Sequence, residues 1–196
     1  IEVEVLDFGK SSPADMGQVE AALRADTRHR IKAVLTTHVD TASTIRTDIP
    51  ALRKAMDAAG HPALLAVDCI ASLGCDEFRM DDWGVDVMVA ACQKGLMTPP
   101  GMSFVWFSEA ARLRCGKSDL ATPYWAWGAR AEPEEFWQIW DGTAPTSHLY
   151  GLREALDMIG EEGLPNVWKR HQTLASTVWA AFDAWGAGNP AIAMNV

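Results

Sequence analysis

Two runs of the sequence, ALLAVDC at residues 63–69 and VDVMVAAC at 85–92, carry apolar side chains at consecutive positions instead of alternate ones. A strand that is apolar on both faces needs cover on both, a condition met chiefly by parallel sheets set between helices. The segments between these runs have the matching helical period. In ADMGQVEAALRA, Met16, Val19, Ala22 and Leu23 fall on one side of a 3.6-residue repeat. TDIPALRKAMDAAGH offers Thr47 and Asp48 as candidate caps, Pro50 in the first turn and Gly60 as the stop. RIKAVLTTH and the alternating IEVEVLDF read as further strands, and SFVWFSEAARLR as a strand followed by a short helix. Residues 146–160 and 164–187 read as helices. The fold class is α/β, with a mainly parallel sheet flanked by helices.

Hydrophobic residues make up 48% of the 196, enough for a substantial core. Lys and Arg number 17 against 26 Asp and Glu, a net charge of −9 with no basic cluster, which argues against nucleic acid as a partner. No long apolar run and no charged-then-apolar leader is present, so a soluble protein with no membrane partner is expected. Cys69, Cys75, Cys92 and Cys115 form no Cys-x-x-Cys pair and read as reduced thiols in a cytoplasmic protein. Trp125, Trp127, Trp137 and Trp140 crowd one segment and read as core or subunit interface. The chain opens at Ile1 without an initiator methionine and reaches Val196 as another strand begins, so it is expected to be a piece of a longer protein.

In sheets of this class the chemistry collects at the carboxyl ends of the strands. Three polar clusters fall there: THVDTAST after residue 35, Asp68 after LLAV, and Gln93 with Lys94 after MVAAC. A lysine at a strand end most often marks the point where the chain reaches water. Asp68 is drawn toward the same edge, where an isolated carboxylate needs a cationic partner. An ion pair with Lys94 satisfies both residues. Pyridoxal phosphate satisfies them too, since its aldehyde takes a lysine amine as a Schiff base and its ring nitrogen needs a carboxylate to stay protonated. Hydroxyls of DTAST and the amide of Gln93 would then serve the phosphate. His38 reads either as a second acid or base or, more usually for a histidine closing a strand, as a hydrogen-bonded structural group. FGKSS is not a nucleotide-binding loop, because Glu4 stands where the first glycine is required.

LLAVDCIASLG, followed 26 residues after its aspartate by the lysine of CQKGLMTPPG, resembles the class V aminotransferases of pyridoxal phosphate fold type I. Within them it is most similar to the serine-glyoxylate and alanine-glyoxylate aminotransferase group. RIKAVLTTHVDTAST, IPALRKAMDAAGHPALLAVD and LYGLREALDMIGEEG resemble the same group in the same order, so the likeness covers almost the whole chain and matches the middle half of a family chain. It implies that residues 1–162 belong to the large cofactor-binding domain, lacking its N-terminal part, and that 163–196 begin a small C-terminal domain.

The resemblance also assigns roles. Lys94 would be the Schiff-base lysine and proton shuttle, its amine desolvated. Asp68 would hold the pyridinium nitrogen. Ile70, two residues further along an extended chain, would press on a face of the ring. Thr41 and Gln93 would bond the cofactor's phosphate or ring oxygen, and Thr143 in DGTAPTS would reach the neighbouring subunit's phosphate. No metal is implied. The activity implied is transfer of an amino group from serine, alanine or aspartate to glyoxylate through pyridoxamine phosphate, in a homodimer with shared active sites. A cysteine desulfurase shares this fold but places histidine before the lysine, where this chain has Gln93. A non-catalytic dimerising homologue is disfavoured by the presence of both Asp68 and Lys94. The group's substrate-carboxylate arginine and its ring-stacking aromatic fall outside this chain. Cys92 stands where the group has serine, Thr44 where it has glycine, and Trp140 where it has tyrosine or phenylalanine. The last two differences bear on the shape of the pocket.

Overall fold

The computed structural model describes residues 1–10, 12–119 and 122–189. β1 (Ala33–Thr37), β2 (Leu64–Asp68), β3 (Val87–Ala91) and β4 (Ser103–Phe107) lie side by side in chain order in one sheet. The first three are parallel, with Thr37 opposite Asp68 and Asp68 opposite Val89. That register brings the ends of all three strands to one edge. β4 runs antiparallel to β3, Ser103 opposite Ala91.

The helices form where period and caps coincide. α1 (Met16–Ala25) starts on Asp15, whose carboxylate accepts the N–H groups of Gly17 and Gln18. α2 (Ile49–Ala59) starts on Asp48, which accepts Ala51 N–H at 2.9 Å, and ends at Gly60 in the left-handed region at φ 64°. The apolar stripes of both helices, Val19 and Leu23 with Ile49, Leu52 and Met56, close on Leu65, Val67 and Cys69 of the β2 segment and Met88 of β3. At the opposite end of the strands Asp86 acts as a clasp. Its Oδ2 accepts Leu65 N–H and its Oδ1 accepts the Ser108 hydroxyl, both at 2.9 Å. Ser108 in turn caps α3 (Glu109–Cys115). The chain continues through a short α4 (Gly128–Ala131), a 3₁₀ turn (Phe136–Ile139), α5 (Thr146–Glu162) and α6 (Leu164–Gly186). No helix among the described residues is long and apolar enough to cross a membrane.

The expected two-sided cover is present on one side. Residues on the α1 and α2 face are buried, whereas Leu35, on the opposite face beside Ala66, is 77% exposed. IEVEVLDF forms no strand, and Ile1, Val3 and Val5 are exposed. Its alternation encodes a face but supplies no neighbour, and a strand exists only in a ladder. The strand expected near Val196 falls in 190–196, outside the described residues. Of the four tryptophans singled out above, Trp127 stacks on Phe107 at 5.4 Å, whereas Trp125 and Trp137 are exposed. α5 and α6 stand off β4 across a groove of about 270 Å³ lined by Phe104, Trp106, Leu156 and Trp168 among others.

Candidate active site

Three loops leave the common edge of β1, β2 and β3. The first, after β1, is held by backbone bonds at its base: His38 N–H donates to Asp68 C=O and Thr47 N–H to His38 C=O, both at 2.8 Å. Its tip folds around Asp40, whose carboxylate accepts the Ser43 hydroxyl at 2.6 Å and Ser43 N–H at 2.7 Å. Those bonds, the hydroxyl's first, hold the Asp40 carboxyl below its usual range. Thr41 is exposed at this tip. Thr44 sits at φ 63°, a left-handed conformation that a β-branched residue rarely adopts.

The second loop follows Asp68. Ile70 N–H donates to Asp68 Oδ1 at 2.7 Å, and no hydrogen bond among the described residues reaches the other carboxylate oxygen. The extended chain stops here, since Ser72 and Leu73 N–H both turn back to Cys69 C=O. The placement of Ile70 therefore follows from this turn and not from strand alternation, contrary to the reasoning from an extended chain. Cys69 is buried, which pushes its thiol up to about 12 and leaves it a packing residue without nucleophilic use. His38 lies under the turn, 3% exposed, with Nδ1 2.9 Å from Ser72 Oγ and its ring against Phe78 and Trp83. Burial holds the imidazole below its ordinary pKa, Asp76 opposing this and Arg46 assisting it. The structural reading of His38 is the one the geometry favours.

The third loop carries Gln93 and Lys94, both exposed. It is built around Cys92, whose carbonyl accepts both the N–H and the hydroxyl of Thr98, at 3.1 and 2.9 Å. The Cys92 thiol donates to Pro99 C=O at 3.0 Å and accepts Met102 N–H at 3.3 Å. A serine would fill the same two roles, which explains how the substitution is tolerated. The desolvation expected for Lys94 is not supplied by the described residues of this chain.

Two glycines join the second and third loops. A Cβ on Gly95 would overlap Leu73 O and come within 2.8 Å of Cys75 Sγ, and one on Gly74 would sit 3.1 Å from Gly95 O. Backbone touches backbone here, immediately after Lys94 and a few residues after Asp68. Sequence reasoning did not single out Gly74 or the Ser72–His38 bond. The signal available was the glycine in SLG and in QKG, each following a polar strand end. Thr143 stands apart, exposed in the bend before α5, and no hydrogen bond among the described residues ties it to the three loops.

A carboxylate, a primary amine and a hydroxyl-bearing loop thus share one sheet edge. The chemistry of this donor set fits pyridoxal phosphate. Asp68 has an acceptor oxygen left for a protonated ring nitrogen, Lys94 carries an amine in reach of solvent-borne ligands, and the Thr41 loop offers hydroxyl groups for a phosphate.

The family of class V aminotransferases matches residues 1–187, and the chain belongs to it. It is 44% identical over 193 residues to the serine-glyoxylate aminotransferase of Methylorubrum extorquens, covering 95% of this chain and 47% of that protein. Identity to the L-aspartate-glyoxylate aminotransferase of Paracoccus denitrificans is 42% over 186 residues, covering 91% of this chain and 44% of that one. Among solved structures, an alanine-glyoxylate aminotransferase from Nostoc superposes with a TM-score of 0.78 at 29% identity, over 90% of this chain and 46% of the other. The chain spans about half the length of the curated relatives it matches.

Proposed function

We propose that the protein to which this chain belongs is a pyridoxal phosphate-dependent aminotransferase that moves an amino group from a small amino acid, serine, alanine or aspartate, to glyoxylate. The observation that carries the reading is the backbone contact of Gly74 with Gly95, which sets the turn after Asp68 against the loop bearing Lys94 at the edge where the β1 loop also ends. The names of the similar proteins support glyoxylate as acceptor and leave the donor among those three.

The bound cofactor would supply an electron-accepting ring for the carbanion formed at the substrate's Cα. Asp68 would accept a hydrogen bond from the ring nitrogen and keep it protonated. Lys94 would hold the cofactor between turnovers and then, as a free amine, would take the proton from the substrate's Cα and deliver it to the cofactor's C4′. Thr41 and Gln93 would bond the phosphate or ring oxygen, Ile70 would lie against the ring, and Thr143 would serve the phosphate of the neighbouring subunit. The working unit is a cytoplasmic homodimer, and the exposed Trp125 and Trp137 supply apolar area of the kind such interfaces bury. Residues 1–162 are part of its large domain and Gly163, between α5 and α6, opens the smaller one.

The test is a panel of amino donors with glyoxylate on the full-length protein, joined to borohydride reduction of the cofactor-loaded form. Turnover with at least one of the three donors and a pyridoxyl group fixed on Lys94 are expected. Label recovered on Lys54 or Lys117 overturns the assignment of Lys94, and absence of glycine formation with every donor overturns the activity.

A further inference from the structure

We infer that His38 is a positioning residue that sets the orientation of the Asp68 carboxylate through Ser72, an inference that rests on the proposed function above. The connection can be followed bond by bond. The imidazole Nδ1 lies 2.9 Å from Ser72 Oγ, inside the core, with the ring tilted against Phe78 at 5.2 Å and edge-on to Trp83 at 6.1 Å. Ser72 begins and ends the turn's own bonds: its N–H donates to Cys69 C=O at 3.0 Å, and its C=O accepts Cys75 and Asp76 N–H, both at 2.9 Å. Ile70 lies within that turn, and its N–H fixes Asp68 Oδ1 at 2.7 Å. Seen from the other side, His38 N–H donates to the Asp68 carbonyl, so one residue grips both the backbone of the aspartate and the turn that aims its side chain.

Nothing else polar in the core competes for this task. Of the buried polar side chains, Thr47 and Thr98 bracket the first and third loops, and His61 pairs with Asp26 at the far end of α1. Among the buried side chains of the described residues, only the His38 and Ser72 pair crosses between the first loop and the second; the Arg46 and Asp76 ion pair, at 3.2 Å, crosses nearer the surface. A buried polar group left without its partner destabilises the arrangement it served, so removing the imidazole frees the turn instead of leaving it in place. A carboxylate free to rotate keeps its charge but loses its aim at a ring nitrogen.

The test uses the full-length protein, with pyridoxal phosphate as the probe and its dissociation constant, read from absorbance, as the first measurement. His38→Leu weakens cofactor binding about tenfold and slows the donor half-reaction by a similar factor, while the donor KM stays within about twofold. His38→Asn, whose amide can reach Ser72 Oγ, recovers most of the loss. In an Asp68→Ala background His38→Leu adds less than about a twofold effect, because a residue acting through the carboxylate has nothing left to act on. Ser72→Ala, which removes only a hydroxyl, gives a smaller loss with the same dependence on Asp68 and serves if His38→Leu does not fold. Losses that add fully to those of Asp68→Ala, or a Ser72→Ala protein that binds cofactor as wild type does, overturn the inference. Wild-type protein that takes up no cofactor overturns the function on which it rests.

Discussion

Thr44 carries the clearest residue-level compromise. Its φ of 63° places a β-branched side chain in the left-handed region, at a position where the resembling group has glycine. The left-handed region disfavours a non-glycine residue by roughly 1–2 kcal/mol, and glycine returns about half of that through its greater freedom when unfolded. Thr44→Gly is therefore expected to raise stability by up to about 1 kcal/mol, seen as a higher urea midpoint with an unchanged slope. Two titrating residues, His38 and Asp26, contribute to the acid side of the stability profile alongside other lowered carboxylates such as Asp40. His38 is held below its ordinary value of 6.5 by burial, so the unfolded chain takes the proton first. Its contribution is full above 6.5 and declines as pH falls below that value. Asp26 is lowered from 3.8 to about 2, first by Ile31 N–H, so its contribution is full above 3.8 and lost as pH falls toward 2. Urea midpoints across pH are expected to fall in two stages. The upper stage shrinks in His38→Asn and the lower in Asp26→Asn; identical profiles in the variants and wild type would refute both attributions.

At the level of elements, the site depends on how two loops meet. Strand register brings the ends of β1, β2 and β3 to one edge, but register alone leaves the loops free to splay. Gly95 and Gly74 remove that freedom by letting backbones touch. Gly95→Ala has nowhere to place its methyl except into Leu73 O, which is backbone and yields only if the loops separate. It is expected to weaken cofactor binding by more than about tenfold and to lower the thermal midpoint. Cys75→Ser, whose sulfur is the more yielding neighbour, should leave binding nearly unchanged. Equal cofactor affinity in Gly95→Ala and wild type would show that the contact is incidental. Cys92 illustrates the opposite case, where thiol and hydroxyl meet the same carbonyl and amide and the loop holds either way.

For the whole molecule, one face of the sheet lies open, and exposed indoles flank the segment leading to Thr143. Both features point outward from this chain. If Thr143 completes the neighbour's site, mixing Lys94→Ala subunits with Thr143→Ala subunits yields dimers with one doubly impaired site and one intact site. Activity after mixing is expected to exceed the average of the two parents. Confirmed mixed dimers that show only that average would establish that each site is built within one chain.

The sequence by itself determined most of the elements and the sheet edge to which Asp68 and Lys94 are brought. Apolar runs such as ALLAVDC are strands because no other element buries consecutive side chains in so short a length, and Asp48 and Gly60 bound a helix because caps act locally. Several ordered motifs at fixed spacing likewise made Asp68 and Lys94 legible as a pair. Tertiary structure decided the rest. IEVEVLDF has the alternation of a strand and forms none, because pairing needs a neighbour that alternation does not provide. Ile70 looked like the next residue of a strand, yet the chain turns there on the bonds of Ser72 and Leu73 N–H to Cys69 C=O, and the turn is then tied to His38, 34 residues away in sequence. Local preference is written residue by residue, while a contact between distant loops exists only once the sheet has brought them together.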